Sequence, residues 1–207
     1  MAREGGLEAL EAIVLAGGSG SRFGGGKLTH AWRGGALIDG ALAAAFAAPV
    51  SSVTVVTGAD ASVETAARAY AARIGQPGRL RLVHCEGHPE GMGATLRAGV
   101  ASLPGDAAGV YVFLGDMPAV PPAILPALAA ALAAGAPAAA PRYEGQRGHP
   151  VLFSAALFPQ LRSLTGDQGA RDVLRALGDA LKLVETDDPG VLVDIDKPTD
   201  LDETAFG

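Results

Sequence analysis

The segment AIVLAGGSGSRFGGGK, residues 12–27, determines how the rest of the chain is interpreted. Its first five residues are apolar and predict a buried β-strand, and glycines follow that strand directly. Glycine lets the backbone adopt positive φ and approach a ligand closely, so that successive backbone N–H groups can converge on anionic oxygens. Arg22 and Lys27 add positive charge to the same stretch. The segment therefore predicts a strand followed by a phosphate-binding loop.

Two familiar phosphate loops are excluded by counting residues. A dinucleotide-binding loop needs glycine at its first, third and sixth positions, but counting from Gly18 the sixth position is Phe23. A Walker A loop ending at Lys27 needs glycine where Ser21 stands, and Ser or Thr where Leu28 stands. The segment is therefore predicted to be a phosphate loop of another kind. A flexible glycine-rich turn without a ligand is the alternative interpretation.

Strand-like and helix-like segments alternate along the remaining chain. Strands are predicted at residues 12–16, 53–57, 80–84, 110–114, 150–153, 181–184 and 191–195. Helices are predicted at residues 37–48, 62–74, 93–103, 121–134 and 168–177, and a polar loop at residues 142–149. Because repeated strand–helix units produce parallel strands with crossover helices, we expect an α/β fold with a mostly parallel, doubly wound sheet in three layers. Residues 1–207 are expected to form a single domain.

Composition narrows the class of protein. Of the 207 residues, 49% are hydrophobic and 18% are charged, which is typical of a globular protein. The net charge of −6 argues against a general nucleic-acid binder or membrane-surface binder. Cys85 is the single cysteine, which excludes an intrachain disulfide framework. Acidic residues near the N-terminus and prolines within the alanine-rich stretch at 123–141 argue against a signal peptide and a membrane span, so a cytoplasmic protein is expected.

Carboxylates follow two of the predicted strands. Asp116 comes directly after the strand at 110–114, and ligands of such sheets bind beyond the carboxyl ends of the strands. Asp194 and Asp196 alternate with apolar residues, so on a strand both would point to one face. Because Mg²⁺ prefers oxygen ligands, Asp116 with Asp196 or Asp194 is the predicted magnesium site. A turn at Asp116 and a solvated strand edge at the other two are the alternatives.

The glycine-rich loop resembles the signature of the MobA-like NTP transferases, L-A-(A/G)-G-x-(S/G)-x-R-(M/F)-G followed by a lysine. The resemblance continues through residues 27–38, 91–96, 115–118, 148–153, 166–171 and 194–198 with Asp200. The segments at 148–153 and 166–171 are similar to those of the molybdenum cofactor cytidylyltransferase branch. The first motif departs from that branch, because Gly17 stands where its second alanine is usual, and L-A-G-G is the form of the guanylyltransferase branch.

The resemblance implies a Rossmann-like nucleotidyltransferase that transfers CMP from an NTP–Mg²⁺ complex to the phosphate of a molybdopterin-type acceptor, with release of pyrophosphate. GTP is the close alternative to CTP. Another small phosphorylated acceptor, such as a sugar or alditol phosphate, stays open. So does a non-catalytic carrier of the cofactor or of a nucleotide. A molybdoenzyme or its chaperone is the implied protein partner.

The resemblance and the residues together nominate a candidate site. Arg22, Lys27 and Asp116 are the predicted catalytic residues. The predicted nucleotide-binding residues are Leu15, Ala16, Gly17, Gly18, Ser19, Gly20, Ser21, Arg22, Lys27, Gly91, Met92 and Thr95. His149 and Arg147 are predicted to contact the acceptor, with a structural histidine and a solvated arginine as the alternatives. Thr95 has a second interpretation as a helix cap.

Overall fold

The computed structural model describes residues 10–18, 23–58, 60–166 and 169–203. Its strands are β1 Leu10–Ala16, β2 Ala31–Trp32, β3 Gly35–Ala36, β4 Val53–Thr57, β5 Leu80–His84, β6 Gly109–Leu114, β7 Ala138–Tyr143, β8 Gln146–Arg147, β9 Val151–Ser154 and β10 Leu181–Glu185. Its α-helices are α1 Ile38–Ala47, α2 Ser62–Arg73, α3 Met92–Ala101, α4 Leu125–Ala133, α5 Phe158–Arg162, α6 Arg171–Leu177 and α7 Asp200–Glu203. Short 3-10 turns include Lys27–Thr29 and Pro189–Leu192.

The main sheet has the strand order β10-β7-β9-β6-β1-β4-β5, and β8 pairs with β7 outside this path. Strands β6, β1, β4 and β5 are parallel to one another, and β10 is parallel to β7. Strand β9 runs antiparallel to both β6 and β7. The prediction of an α/β fold with a mostly parallel sheet is therefore confirmed, with β9 and the short strand β8 as reversed strands.

Strand β1 is central, and every one of its residues is buried. Ala12 and Val14 face the core under α1, α2 and α4, whereas Ile13 and Leu15 face the core under α3, α5 and α6. A strand covered by helices on both faces needs apolar side chains at both parities, which is why its sequence is a nearly continuous apolar run. The two helical layers cover the sheet as the doubly wound prediction requires.

Helix α1 comes unusually close to the turn that follows β6. A Cβ atom added at Gly40 would overlap the backbone of Pro118, so this face of α1 tolerates no side chain. Glycine in a helix interior costs about 1 kcal/mol relative to alanine. Here α1 carries that cost, and the missing side chain at Gly40 lets the helix contact the turn that carries Asp116. The position of the turn is thus fixed by packing as well as by the strand that precedes it.

Strand β7 is absent from the sequence-based prediction. Ala138, Ala139 and Ala140 are fully buried in it, between β9 and β10 and beneath α4. Alanine is a poor strand former in isolation, so the pairing of β7 on both sides outweighs its propensity. The predicted polar loop at 142–149 is also partly wrong. Arg142 and Tyr143 end β7 and pair with β8 in a hairpin.

The predicted strand at 191–195 is wrong. Pro189 begins a 3-10 turn, and Asp188 caps it by accepting a hydrogen bond from the Gly190 N–H at 2.8 Å. The apolar pattern that suggested a strand arises because Val191 and Ile195 are both fully buried, although the backbone here pairs with no strand of the described ranges. Asp194 and Asp196 therefore do not share the face of a strand, although the next section shows that they still meet.

None of the helices in the described ranges is both long and apolar enough to cross a lipid bilayer.

Candidate active site

Lys27 begins the 3-10 turn at the end of the glycine-rich segment. Gly26 precedes it with φ of 63°, a left-handed conformation that glycine adopts without strain. The Lys27 side chain is only 10% exposed, and its Nζ lies 2.9 Å from Asp116 Oδ2 and 3.3 Å from Asp196 Oδ1. A buried ammonium is stable only when it is paired. The turn at Gly26 therefore places the Lys27 ammonium beside two carboxylates that lie far from it in sequence.

Asp116, Asp194 and Asp196 each place a carboxylate oxygen within 4.8 Å of the others. Asp116 lies just beyond β6, at the carboxyl end of the parallel strands. The other two are held there because the Ile195 N–H donates to the Asp116 carbonyl at 3.1 Å. Asp200 stabilises the same segment by accepting hydrogen bonds from the Asp196 and Lys197 N–H groups at 2.8 and 2.7 Å. We call these three aspartates the acidic cluster.

The acidic cluster carries excess negative charge despite Lys27. Burial lowers the pKa of Lys27, but the attraction of Asp116 and the other aspartates outweighs burial and raises it. Burial, together with the negative charge of Asp116, raises the pKa of Asp194 to about 6, and Lys27 only partly opposes this. Three carboxylates around one ammonium leave a site that attracts a further cation. Carboxylate oxygens are ligands that Mg²⁺ and Mn²⁺ prefer.

The acidic cluster lies between two cavities. The smaller, of about 90 Å³, is lined by Gly18, Lys27, Asp60 and Asp116 among others. The larger, of about 440 Å³, is lined by Asp194 and by residues of β6, β8, β9, α3 and α6. Leu15 at the end of β1 lines both. This arrangement can hold two ligands on either side of one cation.

The predicted nucleotide-binding residues occupy several places. Leu15, Ala16, Gly18 and Lys27 line the small cavity, and Met92 lines the large one. Gly91 has φ of 109° and is the N-cap residue of α3, which begins at Met92. The predicted residues Ser19, Gly20, Ser21 and Arg22 lie outside the described residues, as do Asp167 and Gln168 of the segment at 166–171.

Gly17 and Thr95 contact each other. A Cβ atom at Gly17 would lie 2.9 Å from Thr95 Oγ1 and 3.0 Å from Thr95 Cγ2. Thr95 is not the cap of α3, because the helix begins at Met92. Its hydroxyl instead donates to the Gly91 carbonyl at 3.4 Å, one turn earlier. The Thr95 side chain thus occupies the space that an alanine at position 17 would need.

Gly17→Ala is expected to lower the free energy of unfolding by about 1–3 kcal/mol, because the added methyl group overpacks the contact with Thr95. Thr95→Ala removes the atoms in the way, so the double variant should be more stable than the sum of the single changes predicts. Urea denaturation of all four proteins measures the coupling. Changes that add within about 0.5 kcal/mol would show that the two positions are independent.

His149 and Arg147, which are predicted to contact the acceptor, both lie on the wall of the large cavity. The backbone N–H of His149 donates a hydrogen bond to the Val191 carbonyl at 2.9 Å. Its imidazole Nδ1 is buried and has no hydrogen-bond partner among the described residues. Burial and the nearby charge of Arg147 lower the pKa of His149 to about 4. At neutral pH His149 is therefore uncharged and can offer a hydrogen bond but no positive charge.

Two charged lining residues were not assigned to the site from sequence. Arg171 lies within a segment that resembles the family, yet its position on the large cavity depends on how α6 packs. Asp60 lines the small cavity, and its Oδ1 accepts a hydrogen bond from the Ser62 N–H at 2.9 Å just before α2. No local pattern distinguishes such a turn from one beside a ligand cavity.

The fold and this site can be compared with known proteins. The family model of the MobA-like NTP transferase domain matches residues 12–181. The chain belongs to this family. It is therefore a nucleotidyltransferase, and members of the family take NTP substrates and use divalent metal ions.

Relatives support the assignment along nearly the whole chain. The purine catabolism protein PucB of Bacillus subtilis (strain 168) is 32% identical over 197 residues, which cover 93% of this chain and 94% of PucB. The crystal structure of Rv0371c from Mycobacterium tuberculosis H37Rv aligns with a TM-score of 0.79 at 25% identity, over 96% of this chain and 98% of that chain. A complex of Rv0371c with manganese aligns with a TM-score of 0.74 at 25% identity, over 94% and 97% of the two chains.

Proposed function

We propose that this nucleotidyltransferase moves CMP, in preference to GMP, from an NTP–Mg²⁺ complex to the phosphate of a molybdopterin-type acceptor and releases pyrophosphate. The observation that carries the proposal is the acidic cluster with Lys27 between two cavities. In this assignment the nucleotide phosphates lie on the glycine-loop side, and the acceptor occupies the large cavity. The reacting phosphates then meet beside Asp116 and Asp194.

Asp116, Asp194 and Asp196 would hold the metal ion in this proposal. Their donor set is made of hard carboxylate oxygens, and Lys27 already places one cation against two of them. The manganese complex of Rv0371c supports a divalent ion in this family. When bound, such an ion neutralises phosphate charge and orients the α-phosphate for in-line attack.

The glycine-rich backbone and Lys27 would stabilise the triphosphate and the leaving pyrophosphate. Gly18 lines the small cavity beside Lys27, so backbone N–H groups and an ammonium can serve the same anion. Arg22, which lies outside the described residues, is proposed to add a second charge there. Charge placed before the reaction is effective because the site need not reorganise as negative charge develops on the leaving group.

The proposed reaction needs no general base. One oxygen of the acceptor phosphate forms a bond to the α-phosphorus, the bond from that phosphorus to the bridging oxygen breaks, and pyrophosphate leaves with the electron pair. A phosphomonoester has a second pKa of about 6, so at neutral pH its attacking oxygen already lacks a proton. The low pKa of His149 suits this chemistry, because the residue is then free to position the acceptor.

The preference for CTP rests on sequence similarity to the cytidylyltransferase branch at 148–153 and 194–198. Gly17 is the feature that favours GTP, through the L-A-G-G form of the first motif. The contact between Gly17 and Thr95 supplies a packing reason for that glycine, independent of the base. The name of PucB places that protein in purine catabolism and specifies neither the nucleotide nor the acceptor.

Pyrophosphate release measured with Mg²⁺, molybdopterin and each of CTP, GTP and ATP tests the proposal. We expect kcat/KM to be highest with CTP, by at least about tenfold, which corresponds to about 1.4 kcal/mol of preferential transition-state binding. Reactions without molybdopterin serve as the control. A preference for GTP would assign the chain to guanylyl transfer. Absence of release with every triphosphate would contradict the proposed reaction and favour a carrier.

A further inference from the structure

The large cavity is lined by both apolar and charged side chains. Strands β6 and β9 contribute Val112, Leu114, Val151 and Phe153 to it, and helices α3 and α6 add further apolar side chains. Its cationic residues are Arg147 and Arg171. Ligand cavities combine apolar surface with a few polar groups that fix orientation. This cavity is therefore suited to a ligand that combines an apolar body with an anionic group.

The two arginines come from separate parts of the chain. Arg147 lies on β8 of the β7–β8 hairpin, and Arg171 is the first residue of α6. Both line the large cavity, and partial burial together with the positive charge of Arg171 lowers the pKa of Arg147. Two like charges near each other without an anion are electrostatically unfavourable. The folded chain thus places two positive charges along the wall of one cavity.

Five other arginines of the chain are paired with carboxylates. Ion pairs join Arg68 to Glu64, Arg73 to Asp39, Arg97 to Glu90, Arg142 to Glu185 and Arg175 to Asp172. Among the described residues, neither Arg147 nor Arg171 forms such a pair. The contrast is clear within α6 itself, where Arg175 is paired at 2.7 Å and Arg171 faces the cavity instead.

We propose that Arg147 and Arg171 together form a binding site for the phosphomonoester of the acceptor, whose apolar body lies against the apolar side chains of the large cavity. This inference rests on the proposed function and adds Arg171 to the acceptor site. Two guanidinium groups match the two charges of a phosphomonoester dianion, and each can donate two parallel hydrogen bonds. Their mutual repulsion disappears when the anion binds.

Arg147 and Arg171 also reduce the electrostatic repulsion between the two substrates of the proposed reaction. The acceptor phosphate and the triphosphate are both polyanions and must come within bonding distance. Asp194 of the acidic cluster lines the same cavity as the arginines, so the bound phosphate lies on the side where the α-phosphorus is expected. Charge on Arg147 and Arg171 offsets the repulsion between the two substrates. The pair thus binds and positions the attacking group.

Direct binding of phenyl phosphate, an aromatic phosphomonoester, tests the site without requiring turnover. We expect Arg147→Gln and Arg171→Gln each to raise its Kd in isothermal titration calorimetry by about 10- to 100-fold, because a charge-assisted contact is lost. Arg175→Gln is the matched control, since it removes an arginine from the same helix that pairs with Asp172. Thermal unfolding checks that all variants are folded.

Kinetics then separate this inference from the proposed function. With molybdopterin as acceptor, the arginine variants should raise its KM by the same factor and leave the KM for CTP unchanged. If the wild-type protein shows no transfer but phenyl phosphate binding still depends on both arginines, the proposed reaction fails and the phosphomonoester site stands. If Kd in both arginine variants equals that of the wild-type protein and of Arg175→Gln, the inference is overturned.

Discussion

Asp116→Asn is expected to lower kcat/KM for nucleotidyl transfer by about a thousandfold while the protein remains folded. The substitution keeps the size of the side chain but removes its charge from the acidic cluster. A carboxylate that holds a catalytic metal supports several kcal/mol of transition-state stabilisation, and each 1.4 kcal/mol corresponds to about a factor of ten. Lys27 also loses the charged partner that lies 2.9 Å from its Nζ.

The measurements for this variant are pyrophosphate release, Mn²⁺ affinity by titration calorimetry, and thermal unfolding. Asp106→Asn is the matched control, because Asp106 is an exposed aspartate that precedes β6, whereas Asp116 follows it. Activity and Mn²⁺ affinity should fall together in Asp116→Asn and stay unchanged in the control. Near-normal turnover in a folded Asp116→Asn protein would remove the acidic cluster from the mechanism.

Lys27→Met is expected to have two opposite effects. In the absence of nucleotide it should increase Mn²⁺ affinity by about tenfold, because an ammonium that contacts Asp116 and Asp196 repels a second cation. In the presence of CTP it should lower turnover by about 100- to 1000-fold, because charge on the leaving pyrophosphate loses its preorganised partner. Methionine retains an unbranched apolar side chain of similar length, which suits the buried position of Lys27.

Titration calorimetry with Mn²⁺ and pyrophosphate release with CTP measure the two effects separately. Lys182→Met, at an exposed position on the edge strand β10, is the control for a general change in net charge. A loss of Mn²⁺ affinity in Lys27→Met would show that the lysine organises the carboxylates rather than competing for them. Unchanged turnover would contradict its role beside the triphosphate.

The opposite signs of these two effects imply that binding of the metal ion is coupled to binding of the triphosphate. Lys27 is attracted to the acidic cluster as long as no other anion is near, and a triphosphate supplies one. We therefore expect Mn²⁺ to bind more tightly to the wild-type protein when CTP is present. The linkage is reciprocal, so the metal ion should raise CTP affinity by the same factor.

The sequence was sufficient to predict those features whose signal is contained in a few neighbouring residues. The apolar run of β1 with its glycines predicts a buried strand and a phosphate loop, and Asp116 after β6 is placed correctly at the carboxyl end of the sheet. The alternation of strands and helices likewise predicts the doubly wound sheet. These features depend on period, turn chemistry and the order of elements, all of which can be read along the chain.

Other features depend on partners far away in sequence. The alanines of β7 form a strand because β9 and β10 pair with it on either side, and β9 runs antiparallel between β6 and β7. Residues 191–195 form no strand, yet the hydrogen bond from the Ile195 N–H to the Asp116 carbonyl holds Asp194 and Asp196 beside Asp116. Their meeting was predicted for an incorrect reason.

The sequence by itself determined the fold class, the family and the chemical types at the site. Only the tertiary structure decided which residues share a surface: Lys27 with Asp116 and Asp196, Thr95 with Gly17, and Arg147 with Arg171. The physical reason is the separation along the chain over which each effect acts. Propensity and periodicity act over a few residues, whereas burial and pairing of charge depend on contacts between segments that the chain brings together only when it folds.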